Sequence, residues 1–261
     1  MSPPSGGHDD AALTFEDVSA VRGGRVIWSQ ATFEVPAGGV VAVIGANGAG
    51  KTTLLQMILG LIPAATGQLA VFGRPAGADN NSIGYVPQNY AASAGDAIRA
   101  RDAVLLGLTG TRWAFGRASA TQRRRVEQTL EAVEASGFAD RRLATLSGGQ
   151  RQRVAIAEAL VAQPKMLILD EPLASLDLRN QREIIGLLTR LHHELAVTIV
   201  VVAHDLNPLL PVLDSAIYLL DGHAHYAPVG DVVDEELLTH LYGTPIEVAR
   251  TPLGELYMRS V

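Results

Sequence analysis

The sequence predicts an α/β fold with a mostly parallel sheet, an N-terminal antiparallel β portion and an inserted α-helical subdomain. Three observations lead there. Short apolar, β-branched runs at Gly39–Ile44, Met166–Leu169 and Val197–Ala203 read as buried strands. Helical patterns follow the first two, and strand–helix alternation of this kind gives a parallel sheet covered on both faces. From Ser93 to Phe138 the composition shifts to Ala, Arg and Glu at helical spacing, which reads as an inserted lobe.

Taken in order, residues 1–12 are rich in Ser, Pro, Gly and Asp, with neither a basic nor an apolar leader region, and are expected to be disordered. Leu13–Phe33 alternates in short apolar steps broken by Arg22-Gly23-Gly24-Arg25, the pattern of a hairpin, with Trp28 in the core. The strand at Gly39–Ile44 ends in glycines. Lys51–Leu59 then places Leu54, Leu55, Ile58 and Leu59 on one side of a helix that Gly60 and Pro63 close. Further strands are expected at Leu69–Phe72 and Ile83–Val86. After Leu146 come a helix at Gly148–Ala162, the strand at Met166–Leu169, a helix near Arg179–His193 and the strand at Val197–Ala203. The expected organisation is one domain over 13–261: a core of 13–88 and 148–225, a helical subdomain at 89–147 and a C-terminal tail at 226–261.

Bulk properties narrow the function. With 261 residues, 48% hydrophobic and 18% charged, the chain can bury a substantial core. A net charge of -6 argues against sequence-independent nucleic-acid binding, which needs a basic face. The absence of cysteine removes disulfides, thiolate metal sites and thiol nucleophiles. The longest apolar stretches fall far short of the ~20 residues that span a bilayer, so the chain is expected to be soluble on its own.

Gly45-Ala46-Asn47-Gly48-Ala49-Gly50-Lys51-Thr52 fits a glycine, four free positions, Gly-Lys and Ser/Thr, and lies between a predicted strand and a predicted helix. Such a loop, Gly45 to Thr53 here, turns backbone N–H groups and a helix N-terminus toward phosphate oxygens. Lys51 reaches the β and γ phosphates, and Thr52 ligates Mg²⁺. Asp170-Glu171 follows the strand at Met166–Leu169, at the sheet edge where nucleotide sites form. Asp170 suits a direct or indirect Mg²⁺ contact, and Glu171 can orient or deprotonate water. Leu146-Ser147-Gly148-Gly149-Gln150 opens a helix, with Ser147 at the N-cap and donors facing an anion.

This last motif resembles the signature of the ABC ATPases, a P-loop NTPase family with a RecA-like core. With it, Gln88 in Tyr85-Val86-Pro87-Gln88 resembles the family's Q-loop, Ser175-Leu176-Asp177 its D-loop and His204 its switch histidine. The resemblance covers roughly residues 13–225 in one order of motifs. It implies a head-to-tail dimer in which the loop at Gly45 of one subunit and Ser147–Gly149 of the other sandwich each ATP. Glu171 would polarise the water, His204 contact the γ phosphate, Gln88 link Mg²⁺ and water to a transmembrane partner, and Asp177 communicate across the dimer. Nucleotide-binding positions are thus Gly45, Asn47, Gly48, Ala49, Gly50, Lys51, Thr52, Thr53, Ser147, Gly148, Gly149, Gln150 and Asp177. Thr52, Gln88 and Asp170 would face Mg²⁺.

The chain also departs from the family. Where relatives offer an aromatic ring to adenine, just before Gly23-Gly24, stand Val21 and Arg22; the Arg22 guanidinium could stack on the base. Glu158 stands where relatives commonly carry Arg, and the sequence offers no account of it. His223-x-His225 has too few ligands for a metal and reads as an exposed turn, and Arg123-Arg124-Arg125 reads as a solvated helix face.

The resemblance implies an ATPase subunit of a membrane transporter. Its partners would be a second copy of the chain, permease subunits and an extracytoplasmic substrate-binding protein, at the cytoplasmic face of the membrane and without nucleic acid. Arg101–Leu108 and Leu241–Val248 resemble segments of bacterial zinc and manganese importer ATPases. Another cargo, export, or a soluble ABC ATPase is the alternative. One cassette without heptads weighs against the soluble classes, and the short tail after Tyr226 leaves no room for the β-domain of sugar importers.

Overall fold

The computed structural model describes residues 11–90, 97–110, 118–250 and 256–260. Most of the segment expected to be disordered, and parts of the expected helical subdomain, lie outside them. The fold is mixed α/β and divides into two compact units, Met1–Asn80 with His204–Val261, and Asn81–Ala203.

The first unit opens with a long antiparallel ribbon, β1 (Ala11–Arg22) and β2 (Arg25–Pro36), turning at Gly23-Gly24. Ala11 and Ala12, expected to belong to a disordered segment, are its first two residues and are buried in the strand. All residues from Ala11 to Phe15 are buried, so both faces of the strand are covered there, a feature that composition alone hides. Trp28 is fully buried, and Phe15 stacks on Phe33 with centroids 4.5 Å apart.

β3 (Val40–Gly45) is buried along its whole length, and α1 (Lys51–Ile58) follows the glycine loop. β4 (Thr66–Val71) and β5 (Arg74–Pro75) extend the ribbon outward. β9 (Ser215–Leu220) pairs in parallel with β3, and β10 (His223–Pro228) pairs antiparallel with β9 and parallel with β2. The strand order in this unit is β5-β4-β1-β2-β10-β9-β3.

In the second unit β6 (Ile83–Val86), β7 (Met166–Asp170) and β8 (Thr198–Val202) form a parallel set in the order β8-β7-β6. Every residue of β8 is buried, as is β7 up to Leu169, which is why these runs read as continuous apolar stretches. α2 (Ala100–Thr109), α3 (Ala120–Ala132) and α4 (Gly148–Leu160) pack on one another. A Cβ at Gly107 would strike the Glu158 carbonyl, so this glycine lets α2 approach the backbone of α4. α5 (Leu178–Leu195) buries Ile184, Leu187, Leu188 and Leu191, the spacing of a single apolar stripe.

Beyond β10 the first unit continues through α6 (Val229–Val232), α7 (Glu235–Tyr242) and a two-stranded ribbon, β11 (Ile246–Arg250) with β12 (Leu256–Ser260). No helix among the described residues is long and apolar enough to cross a membrane.

Candidate functional site

The glycine loop runs from the end of β3 into α1 within the first unit. Lys51 is buried at 8% exposure, and its ammonium donates to the carbonyls of Gly45 at 2.7 Å and Ala46 at 3.1 Å. The side chain therefore bridges back over the loop that precedes it and fixes the loop's curvature. Gly50, the helix N-cap, has φ 104°, and a Cβ there would collide with Ile27 and approach Trp28 at 3.0 Å. Asn47, Gly48 and Thr52 are exposed, Ala49 and Gly50 half-buried, and Thr53 buried. An open cavity of about 360 Å³ is lined by Ala46, Asn47, Gly48 and Ala49 together with the β9–β10 turn, Asp221 to His223. His204 is exposed at the start of this unit's second segment.

Arg22 is exposed at the ribbon's end and paired in register with Arg25. One step earlier Val21 and Val26 lie opposite each other at 42% and 65% exposure, an apolar cross-strand pair open to solvent. Nothing in the sequence pattern marked Val26.

The second unit gathers the remaining positions in two groups. In the first, Gln88 Nε2 donates to Glu171 Oε2 at 2.6 Å, joining residues 83 positions apart. Glu171 follows β7 with a left-handed backbone, φ 52°, and its N–H donates to the Val202 carbonyl at 3.1 Å. Tyr85 donates its hydroxyl to Asp170 Oδ2 at 3.4 Å, and burial together with that carboxylate pushes the phenol up to about 12.

The second group is the start of α4 and the start of α5. Ser147 Oγ accepts from Gln150 N at 3.2 Å while Gln150 Oε1 accepts from Ser147 N at 3.1 Å, a reciprocal cap that engages the Gln150 side chain. Asp177 caps α5, accepting from Asn180 N and Asn180 Nδ2 at 2.8 Å each, which holds its carboxyl below the usual range. A Cβ on Gly149 would overlap the Asn180 amide, and one on Gly148 would lie 3.2 Å from Leu176. Signature and D-loop positions thus meet through Gly149, Asn180 and Asp177.

Glu158 is half-buried and accepts from the Tyr90 hydroxyl at 2.6 Å; burial raises both groups' pKa. The two lie 68 positions apart, so no local pattern announces the pair. His223 and His225 sit in strand β10, not a turn, because pairing with β9 continues through both. His225 stacks on Tyr218 at 4.9 Å, and among the described residues no group of three His, Cys, Asp or Glu is placed to hold a metal. Arg125 is not on a solvated face: its Nε donates to the Val161 carbonyl at 2.7 Å, tying α3 to the end of α4.

Comparison with known proteins places the whole chain beside a known family. A family model described as ABC transporter matches residues 28–174. The zinc transport system ATP-binding protein TroB of Treponema pallidum is 34% identical over 244 residues, covering 93% of this chain and 91% of TroB. A sulfate/thiosulfate import ATP-binding protein, CysA of Mycolicibacterium paratuberculosis, is 38% identical over 216 residues, 82% of this chain but 58% of CysA. Among solved structures, an inward-facing metal-chelate type ABC transporter matches with a TM-score of 0.83 at 28% identity over 97% of both chains. A dimeric ATP-binding cassette in a post-hydrolysis state with ADP and Pi matches with a TM-score of 0.69 at 27% identity, over 83% of this chain and 98% of that one.

Proposed function

The chain belongs to the ABC transporter family as the ATP-hydrolysing component of a transporter, and from that premise we propose that it is one jaw of an ATP-closed dimer powering import of a divalent metal ion. The observation that carries the catalytic part is the Gln88–Glu171 hydrogen bond at 2.6 Å, which gives the carboxylate a fixed orientation beside an amide. Glu171 then accepts the proton of the attacking water, or orients it, while the Gln88 amide passes the state of the site to a permease subunit.

Lys51 and the N–H groups from Gly45 to Thr53 hold the β and γ phosphates, and His204 contacts the γ phosphate. Ser147, Gly148, Gly149 and Gln150 of a second copy close over the same nucleotide, with the Ser147 cap presenting free helix N–H groups to the anion. Asp177, rigid through Asn180, carries the signal between copies. The Thr52 hydroxyl, the Asp170 carboxylate and the Gln88 amide oxygen, all hard oxygen donors, would hold Mg²⁺. A bound Mg²⁺ would neutralise charge on the phosphates.

Adenine lies against the end of the β1–β2 ribbon, with Arg22 stacked on its face. The zinc name of the relative matched over 91% of its length and the metal-chelate transporter matched over 97% favour metal cargo over sulfate, whose relative is matched over only 58%. The assembly has two copies of this chain, permease subunits and an extracytoplasmic binding protein, and sits at the cytoplasmic face of the membrane without nucleic acid. Deleting the coding sequence should lower cell zinc or manganese under metal limitation while growth on sulfate is kept. Unchanged metal content with lost growth on sulfate would transfer the cargo to the second reading.

A further inference from the structure

The loop that follows His204 is held by the far C-terminus of the chain. The half-buried Asn207 donates through Nδ2 to the Met258 carbonyl at 2.8 Å and accepts from the Met258 N–H at 2.7 Å. An amide side chain carries one acceptor and a pair of donors in one plane, and here it matches the two backbone groups of a single extended residue. Met258 is opposite Val248 in the β11–β12 ribbon, at a position whose N–H and C=O turn away from the partner strand. Asn207 therefore extends that ribbon by the width of one residue. The Met258 side chain is buried at 7% exposure, and β12 packs on the turn Leu210–Val212 just beyond Asn207.

Two further links converge on the same short stretch. Asn207 N donates to Asp205 Oδ1 at 2.9 Å, folding the residue next to His204 into a tight side-chain turn. Tyr242, the last residue of α7, buries its hydroxyl with no hydrogen-bond partner among the described residues, and burial with the nearby Asp205 carboxylate pushes the phenol up to about 12. α7 in turn holds β11: Val248 N donates to Glu235 Oε1 at 2.8 Å and Ile246 N to Thr239 Oγ1 at 2.9 Å. A two-stranded ribbon has little stability of its own, so these anchors decide where it sits.

We propose that Asn207 is a positioning residue for His204, tying the loop that carries the histidine to the β11–β12 ribbon so that the C-terminal segment sets how His204 meets the γ phosphate. The proposal rests on the assignment of His204 to the γ phosphate made above. It gives the tail a role in turnover rather than in nucleotide binding, because the grip on phosphate comes from the glycine loop.

The test is a double-mutant cycle on the full chain, reading kcat and KM for ATP in the parent, His204→Ala, Asn207→Ala and the double variant. Asn207→Ala should lower kcat by about tenfold with KM within about twofold, and should add nothing in the His204→Ala background. A chain ending after Arg250, which lacks β12, should show the same loss, so the conclusion does not hang on one substitution. If His204→Ala turns over like the parent, the γ-phosphate assignment fails and the proposal with it. If His204→Ala is impaired while Asn207→Ala and the shortened chain are not, or if the two losses multiply, the positioning role alone is overturned.

Discussion

Glu171 holds a left-handed backbone conformation, φ 52°, which a non-glycine residue keeps only where its surroundings fix it. Three such surroundings are visible: the strand β7 before it, the bond from its N–H to Val202 and the Gln88 amide on its carboxylate. Asp170-Glu171 was legible in the sequence because an acidic pair directly after an apolar run is a local signal. The Gln88 contact and the Tyr90–Glu158 pair were not, since pairing across 83 and 68 positions is decided by packing. Arg22 was legible only as a departure, and its exposed place at the ribbon's end suits stacking by a guanidinium. Arg22→Ala should weaken ATP binding by about 1 kcal/mol, a factor of roughly five, and Arg22→Tyr should preserve it. Equal affinity in all three proteins, by nucleotide titration, would remove Arg22 from the adenine contact.

Among elements, those with strong periodicity stand where the sequence put them. α4 spans Gly148–Leu160 with a reciprocal cap at Ser147, and β6 spans the expected Ile83–Val86. The strand at His223–Pro228 escaped notice because its polar residues resemble a turn, and only pairing with β9 makes it a strand. The glycine loop shows how sequence spacing becomes geometry. Gly48 and Gly50 both have positive φ, 83° and 104°, but a Cβ at Gly48 meets nothing within 4 Å while one at Gly50 meets Ile27 and Trp28. Gly48→Ala should therefore cost only the backbone preference, about 1–2 kcal/mol, and Gly50→Ala should cost more and weaken ATP binding further. Thermal melts with and without ATP check this, and equal losses at both positions would contradict it.

At the scale of the molecule, the proposed reading makes the phosphate loop half of a site that a second copy completes. The exposed placement of Ser147, Gly148 and Asp177 suits surfaces that another copy covers. The cargo was least legible in the sequence, because it rested on the likeness of Arg101–Leu108 and Leu241–Val248 to importer segments and on no local chemistry. The Glu171 carboxylate, proposed as the base, links the two scales, since it should govern turnover without governing closure. Glu171→Gln keeps shape and hydrogen bonding but removes the base. Size-exclusion chromatography of this variant with ATP and Mg²⁺, alongside a phosphate-release assay, should show a trapped dimer and a loss of turnover of at least about a hundredfold. A monomer that still hydrolyses ATP would contradict the account.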